Sequence, residues 1–249
     1  MGSSAAATRP DSRASDLLVA RDVQLSYGPT VALANASVTI GAGEVVALVG
    51  SSGSGKTSLL YCLAGLAQPS TGTVQFRGQE IARLDDEAKA RLRREHFGFV
   101  FQFAELVPEL TLRENVWLPM ELNKVPRRER HSRATQLLSD FGLTDQADRR
   151  PAQVSGGQAQ RAAVARAIAH RPAVLFADEP TGSLDHATGA AVLTSLLNAA
   201  RVDGAAVVLV THDLGVAAHA DRVLHMRDGR TDDVPTDLTG QHLLTPGRR

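Results

Sequence analysis

The sequence predicts an α/β protein: a parallel core sheet, an antiparallel β region ahead of it, and a helical lobe set into the middle of the chain. Three observations carry this. Short unbroken apolar runs at residues 45–49, 173–177 and 205–210 suit strands buried on both faces. Segments with helical patterning alternate with these runs, as in parallel sheets joined by helical crossovers. The opening residues instead carry strand-like runs separated by turn residues, with no helix between them.

Residues 17–25 and 36–40 read as strands, and Gly41-Ala42-Gly43 turns the second into a third at 45–49. A Gly-rich loop follows, then helical patterning over 57–66. Residues 73–76 and 79–81 flank Arg77-Gly78 as a hairpin, Asp85 is placed to cap a charged helix running to about residue 94, and 97–101 is a further strand. From 111 to 142 the pattern is helical: Thr111 and Glu114 have capping-box spacing, and Pro126 opens a second charged helix. Residues 158–170 form an Ala-rich helix stopped ahead of Pro172. A helix over 188–201 separates the strands 173–177 and 205–210, and a last strand, 222–226, ends at Asp228-Gly229. The expected organisation is one domain over 17–235, its helical lobe at about 102–170, with loose tails at 1–16 and 236–249.

Composition narrows the function. Lys plus Arg and Asp plus Glu each number 27, so no overall field points to nucleic acid or to an acidic membrane surface as the main partner. No apolar run approaches the roughly 18 residues of a membrane span, and the opening stretch lacks the apolar block of a secretory signal. The expected location is therefore cytoplasmic. Cys62 is the only cysteine, which rules out an intrachain disulfide and multi-cysteine metal sites; its leucine neighbours suggest a core thiol. The histidines show no metal-ligand spacing, and no structural metal is expected.

Gly50-Ser51-Ser52-Gly53-Ser54-Gly55-Lys56-Thr57 fits G-x-x-x-x-G-K-[ST] between a predicted strand and a predicted helix, the context the motif requires. Its glycines let backbone N–H groups curl around phosphate oxygens, and the helix N-terminus adds positive potential. Lys56 would reach the outer phosphates, Thr57 would ligate Mg²⁺ and Ser58 would extend the site into the helix. Asp178-Glu179 ends the run at 173–177, where ligands of open α/β sheets bind. Such a pair alone is read more readily as a helix cap or a solvated pair. Beside the phosphate loop, Asp178 can hold the metal and Glu179 can polarise an attacking water.

Val154-Ser155-Gly156-Gly157-Gln158 resembles the signature sequence of the ABC ATPases, and it lies upstream of the Asp178-Glu179 strand as in that family. Ser155 and Gln158 have capping-box spacing, which presents a helix N-terminus to an anion; a plain cap leaves the two intervening glycines without a reason. The resemblance covers about residues 17–230 and departs from the family only at Val154, where Leu is usual. It implies a RecA-like core that binds and hydrolyses ATP with Mg²⁺. It also implies an adenine-stacking role for Tyr27, with strand packing as the alternative, and a Q-loop role for Gln102, sensing Mg²⁺ and the attacking water. His212 resembles the switch histidine that contacts the γ-phosphate. Asp185, in Ser183-Leu184-Asp185, resembles the D-loop of the dimer interface, with a surface turn as the alternative.

Two copies are then expected to sandwich ATP head to tail, each nucleotide meeting Ser155, Gly156, Gly157 and Gln158 of the other chain. Glu179-Pro180-Thr181-Gly182-Ser183-Leu184-Asp185 and the segment from Phe99-Val100-Phe101-Gln102 to Thr111-Leu112-Arg113-Glu114-Asn115-Val116 look like the subgroup of LolD, MacB and FtsE. That resemblance implies a peripheral subunit on the cytoplasmic face of the membrane. It would drive an integral permease in export or lipoprotein, peptide or drug extrusion, or signal through a membrane complex without transport.

Overall fold

The computed structural model describes residues 16–232. The expected tails lie outside them, except that Asp16 opens the first strand. In chain order the elements are β1 (Asp16–Tyr27), β2 (Thr30–Gly41), β3 (Val45–Val49), α1 (Lys56–Leu63), β4 (Thr71–Phe76), β5 (Gln79–Glu80), α2 (Asp86–His96) and β6 (Phe97–Val100). There follow α3 (Leu112–Leu122), α4 (Arg127–Asp140), α5 (Gly156–Ile168), β7 (Val174–Asp178), α6 (His186–Asp203), β8 (Ala206–Thr211), α7 (Leu214–Ala217), β9 (Arg222–Arg227) and β10 (Arg230–Asp232).

The described strands form one ten-stranded sheet, ordered β5-β4-β1-β2-β10-β9-β3-β8-β7-β6. Strands β9, β3, β8, β7 and β6 pair in parallel; β2, β1, β4 and β5 pair antiparallel. Strand β10 joins the two halves, antiparallel to β9 and parallel to β2 through Arg230 and Asn35. It has no apolar pattern to betray it, and the expectation of a last strand ending at Asp228-Gly229 missed it. β2 also starts earlier than expected, because the two-residue Gly28-Pro29 turn closes a hairpin that pairs Tyr27 with Thr30.

The apolar runs work as two-faced strands. Val45, Ala47 and Val49 of β3 face one core with Leu175, Ala177, Val207 and Leu209; Val46 and Leu48 face the other with Phe176, Val208 and Val210. Successive side chains of a strand point to opposite faces, so an unbroken apolar run feeds two cores at once. The first core is closed by α3, α4, α5 and α6, the second by α1 and the antiparallel strands. The helical lobe therefore has no core of its own: α5 packs against α3 and α4 on one side and against β6 and α6 on the other. Cys62 is buried in the second core, where desolvation pushes its thiol up to about 11.

The expected caps form. Asp85 accepts the Ala88 N–H at 2.7 Å, Thr111 and Glu114 close a reciprocal capping box, and Pro126 leads into α4. Among the described residues no helix is long and apolar enough to cross a membrane.

Candidate functional site

Strand β3 runs buried to Val49 and releases the chain into the 50–55 loop, which ends at the N-terminus of α1. Gly55 occupies the N-cap with φ 101° and no side-chain cap, leaving the first N–H groups of the helix open to an anion. A Cβ on Gly55 would fall 2.5 Å from the Ala32 carbonyl oxygen, so a side chain there would push the loop off β2. Lys56 is buried, and its Nζ donates to the carbonyls of Gly50 at 2.9 Å and Ser51 at 2.8 Å. The ammonium is thus held inside the curl of the loop, stabilised by oxygen acceptors rather than by a carboxylate partner.

A cavity of about 710 Å³ opens over this loop. Its floor is Ser52, Gly53, Gly55, Lys56, Thr57 and Ser58; one wall is Tyr27, Thr30, Val31 and Ala32 from the β1–β2 hairpin; and Glu179 and His212 reach it from the ends of β7 and β8. Tyr27 and Val31 are 54% and 61% exposed, an apolar surface left open beside a polar floor. A flat aromatic ring at one end and a cation with free N–H groups at the other match a ligand that is a ring joined to phosphates.

Asp178 ends β7 with its Oδ1 3.2 Å from Thr57 Oγ1, which donates to it. Burial raises the Asp178 carboxyl above its ordinary value; the Thr57 hydrogen bond opposes this and the neighbouring Glu179 charge adds to it. This hydroxyl and carboxylate are the oxygen donors a hard divalent cation takes, and two protein donors suit Mg²⁺, which keeps water and phosphate oxygens in its other positions.

Glu179 lies just past the strand with φ 47°, a left-handed conformation that costs a non-glycine residue roughly 1–2 kcal/mol. It is held there because its N–H donates to the Val210 carbonyl at 2.9 Å and its own carbonyl accepts the Gly182 N–H at 3.0 Å. Its Oε1 meets His212 Nδ1 at 2.9 Å. Gln102 does not line the cavity. It stands behind Glu179 across Gly182, where an added Cβ would lie 3.2 Å from Gln102 Nε2 and 3.3 Å from Glu179 Oε2.

The Ser155 turn is elsewhere. Ser155 Oγ accepts the Gln158 N–H and Gln158 Oε1 accepts the Ser155 N–H at 2.9 Å, so the capping box forms as expected and α5 begins two residues before Gln158. Gly156 has open space around it, while Gly157 abuts Thr188 of α6. Asp185 caps α6 through the Thr188 N–H at 3.0 Å, which puts the Asp185 turn beside Gly157. Neither Asp185 nor Ser155, Gly156, Gly157 or Gln158 lines the cavity.

The chain therefore gathers Tyr27, Ser52, Gly53, Gly55, Lys56, Thr57, Ser58, Glu179 and His212 around one cavity, with Asp178 behind Thr57. Gly50, Ser51 and Ser54 shape the loop without facing it. Sequence reasoning missed Thr30, Val31 and Ala32, which carry no motif. It also missed Gln160, whose signal is a polar residue in an otherwise Ala-rich helix; it is 1% exposed.

Known proteins match this arrangement. The family described as ABC transporter matches residues 33–182. The pyoverdine export ATP-binding/permease protein PvdT of Pseudomonas aeruginosa is 45% identical over 218 residues, 86% of this chain and 33% of that protein. A macrolide export ATP-binding/permease protein MacB of Rhodopseudomonas palustris is 46% identical over 209 residues, 84% of this chain and 32% of that protein. The chain thus spans about a third of the length of these curated relatives. Among solved structures, dimeric MJ0796, a bacterial ABC transporter cassette, aligns with TM-score 0.79 and 38% identity, covering 87% of this chain and 97% of that one. MJ0796 has also been solved as a post-hydrolysis dimer bound to ADP and Pi. CbiO1 of Clostridium perfringens, part of the ABC transporter complex cbiONQ, aligns with TM-score 0.79 and 27% identity over 88% of this chain and 87% of its own. The chain belongs to the ABC transporter family.

Proposed function

We propose that two copies of the chain close head to tail on two ATP molecules and that hydrolysis reopens them, driving an integral membrane partner. One observation carries the trans arrangement. The Ser155 turn points a glycine-bearing helix N-terminus into open space, away from the cavity that holds the rest of the site. The N–H groups of Gly156 and Gly157 have no partner within their own helix, as at any helix start, and are free for a phosphate brought by another chain.

In this reading Tyr27 stacks on the base, and Lys56 leaves the Gly50 and Ser51 carbonyls to take the outer phosphates. Thr57 and Asp178 would hold Mg²⁺, with Gln102 completing the set on closure; the ion would neutralise charge building on the transferred phosphoryl group. Glu179 orients the attacking water and draws its proton, and His212 swings from Glu179 to the γ-phosphate. Asp185, next to Gly157, lines the dimer interface. Opening after hydrolysis is passed to membrane helices that dock near residues 103–111, where Phe103 is 66% exposed. The chain then works peripherally, on the cytoplasmic face. The names of the relatives support export as the work done.

Glu179→Gln tests this. The amide keeps the shape and loses water polarisation, so turnover should fall by about 10²–10⁴-fold while ATP still binds and drives dimerisation. Light scattering that shows only monomer with ATP, or a normal steady-state rate, would contradict the proposal.

A further inference from the structure

Helix α5 does more than present the Ser155 turn. Gln160, buried within it, donates both amide protons from Nε2, to the Phe101 carbonyl at 2.8 Å and to the Pro180 carbonyl at 2.9 Å. Arg166 donates to the Glu105 carbonyl at 2.7 Å and to the Ala104 carbonyl at 3.1 Å. Ser183 Oγ donates to the Gln102 carbonyl at 2.8 Å. Side chains thus hold the backbone carbonyls of the 101–105 segment at every residue except Phe103. Glu105 sits at φ 44°, a left-handed conformation that needs such support. A buried amide whose two protons both have acceptors is fixed in orientation, and removing it strands two carbonyls.

We propose that Gln160 and Arg166 are positioning residues that clamp the 101–105 segment to α5. Gln102, whose own carbonyl is tied to Ser183, then takes its setting beside Glu179 from the carbonyls on either side of it that α5 holds, at Phe101 and at Ala104 and Glu105. This rests on the roles proposed above for Gln102 and Glu179. Gln160 bridges the stretches that carry them, the segment after β6 on one side and the turn after β7 on the other. When Gln160 is removed, Glu179 keeps its ties to Val210 and Gly182 while Gln102 keeps only the carbonyl bond to Ser183, so the loss falls on the setting of the Gln102 side chain.

The test is a double-mutant cycle on the full chain, read as ATPase kcat and KM with Mg·ATP. Gln160→Met keeps the volume and removes both donors. It should lower kcat by about tenfold with KM within about twofold, because ground-state binding by the 50–57 loop is untouched. In a Gln102→Ala background, itself slow, the same substitution should cost less than about twofold more. Should Gln160→Met not fold, Arg166→Met and Arg166→Lys take its place, and Lys, retaining a donor, should lose less than Met. A loss of equal size in both backgrounds, or a kcat loss no larger than the loss of folded protein measured by circular dichroism, overturns the clamp alone. A Gln102→Ala protein with normal kcat overturns the role given to Gln102, and the clamp with it.

Discussion

The chain carries two glycine-bearing turns that each open a helix, and they are built in opposite ways. The 50–57 turn is packed from behind: a Cβ on Gly50 would lie 2.3 Å from the Met226 carbonyl oxygen, and one on Gly55 would lie 2.5 Å from that of Ala32. The 155–158 turn faces outward, with nothing within 4 Å of a Cβ added to Gly156 and with its only polar side chains closed on each other. The first is a socket whose shape the fold dictates. The second is a free end at Gly156, and only Gly157 within it is packed, against Thr188. A glycine kept for packing and a glycine kept for approach should respond differently to the same methyl group.

The widest separation is expected from alanine at each turn. Gly50→Ala forces the β9 backbone or the loop to move and should cost about 3 kcal/mol or more, up to failure to fold. Gly156→Ala should change stability by less than about 0.5 kcal/mol while weakening ATP-driven dimerisation. Denaturant titration and light scattering on the two variants decide it, and equal stability losses would break the comparison.

Next in size, Lys56→Ala removes charge-assisted bonds to phosphate and should weaken ATP binding by about 1.5–3 kcal/mol, roughly 10- to 100-fold in Kd by calorimetry. Ser155→Arg should leave monomer binding within about twofold and abolish the ATP-dependent dimer, because an added cation and its bulk fill the approach to Gly156. A mixture of the two variants sharpens the test. If the sites are shared, a mixed pair has one complete site, made of the Ser155→Arg chain's loop and the Lys56→Ala chain's turn. The mixture should therefore hydrolyse ATP faster than either variant alone.

The smallest effect concerns the cost of holding the socket ready. Burial raises the folded carboxyl of Asp178 above its ordinary value, so ionising it at neutral pH works against folding. That cost is absent below the unfolded value and complete above the raised folded value. Asp178→Asn, which can keep the Thr57 bond, should then raise the melting temperature of the nucleotide-free protein by a few degrees at pH 7, with the gain shrinking toward pH 4. No gain at pH 7 would mean that Asp178 is not penalised by its surroundings.

Much of the socket was legible in the sequence because its parts are local: a strand, a six-residue loop and a helix are contiguous from Val45 to Leu63. The two-faced apolar runs likewise announced the parallel core. What could not be read is what depends on distant pairing. β10 is Arg-Thr-Asp, and only its place between β2 and β9 makes it a strand. Thr30, Val31 and Ala32 line the cavity because a hairpin brings them there, and Gln160 matters through two carbonyls 59 and 20 residues away. The helical lobe was expected as a unit, yet Leu137 and Leu138 of α4 share one core with Val45 of β3, a continuity that periodicity within a helix cannot express.

The seam at β10 has a mechanical consequence. Only three residues deep, it reaches β2 through the single Arg230–Asn35 pairing, reinforced where the Gly229 carbonyl accepts the Ala34 and Asn35 N–H groups at 2.9 and 3.3 Å. Thr231 Oγ1 accepts the Ser37 N–H and donates to the Ser37 carbonyl, each at 2.9 Å, and Arg222 of β9 donates to the Thr39 carbonyl at 3.2 Å, whereas β9, β3, β8, β7 and β6 are stitched by backbone bonds along most of their length. The seam is therefore a junction riveted by side chains, and the hairpin bearing Tyr27 keeps its place against the half bearing His212 through residues that no strand pattern marks.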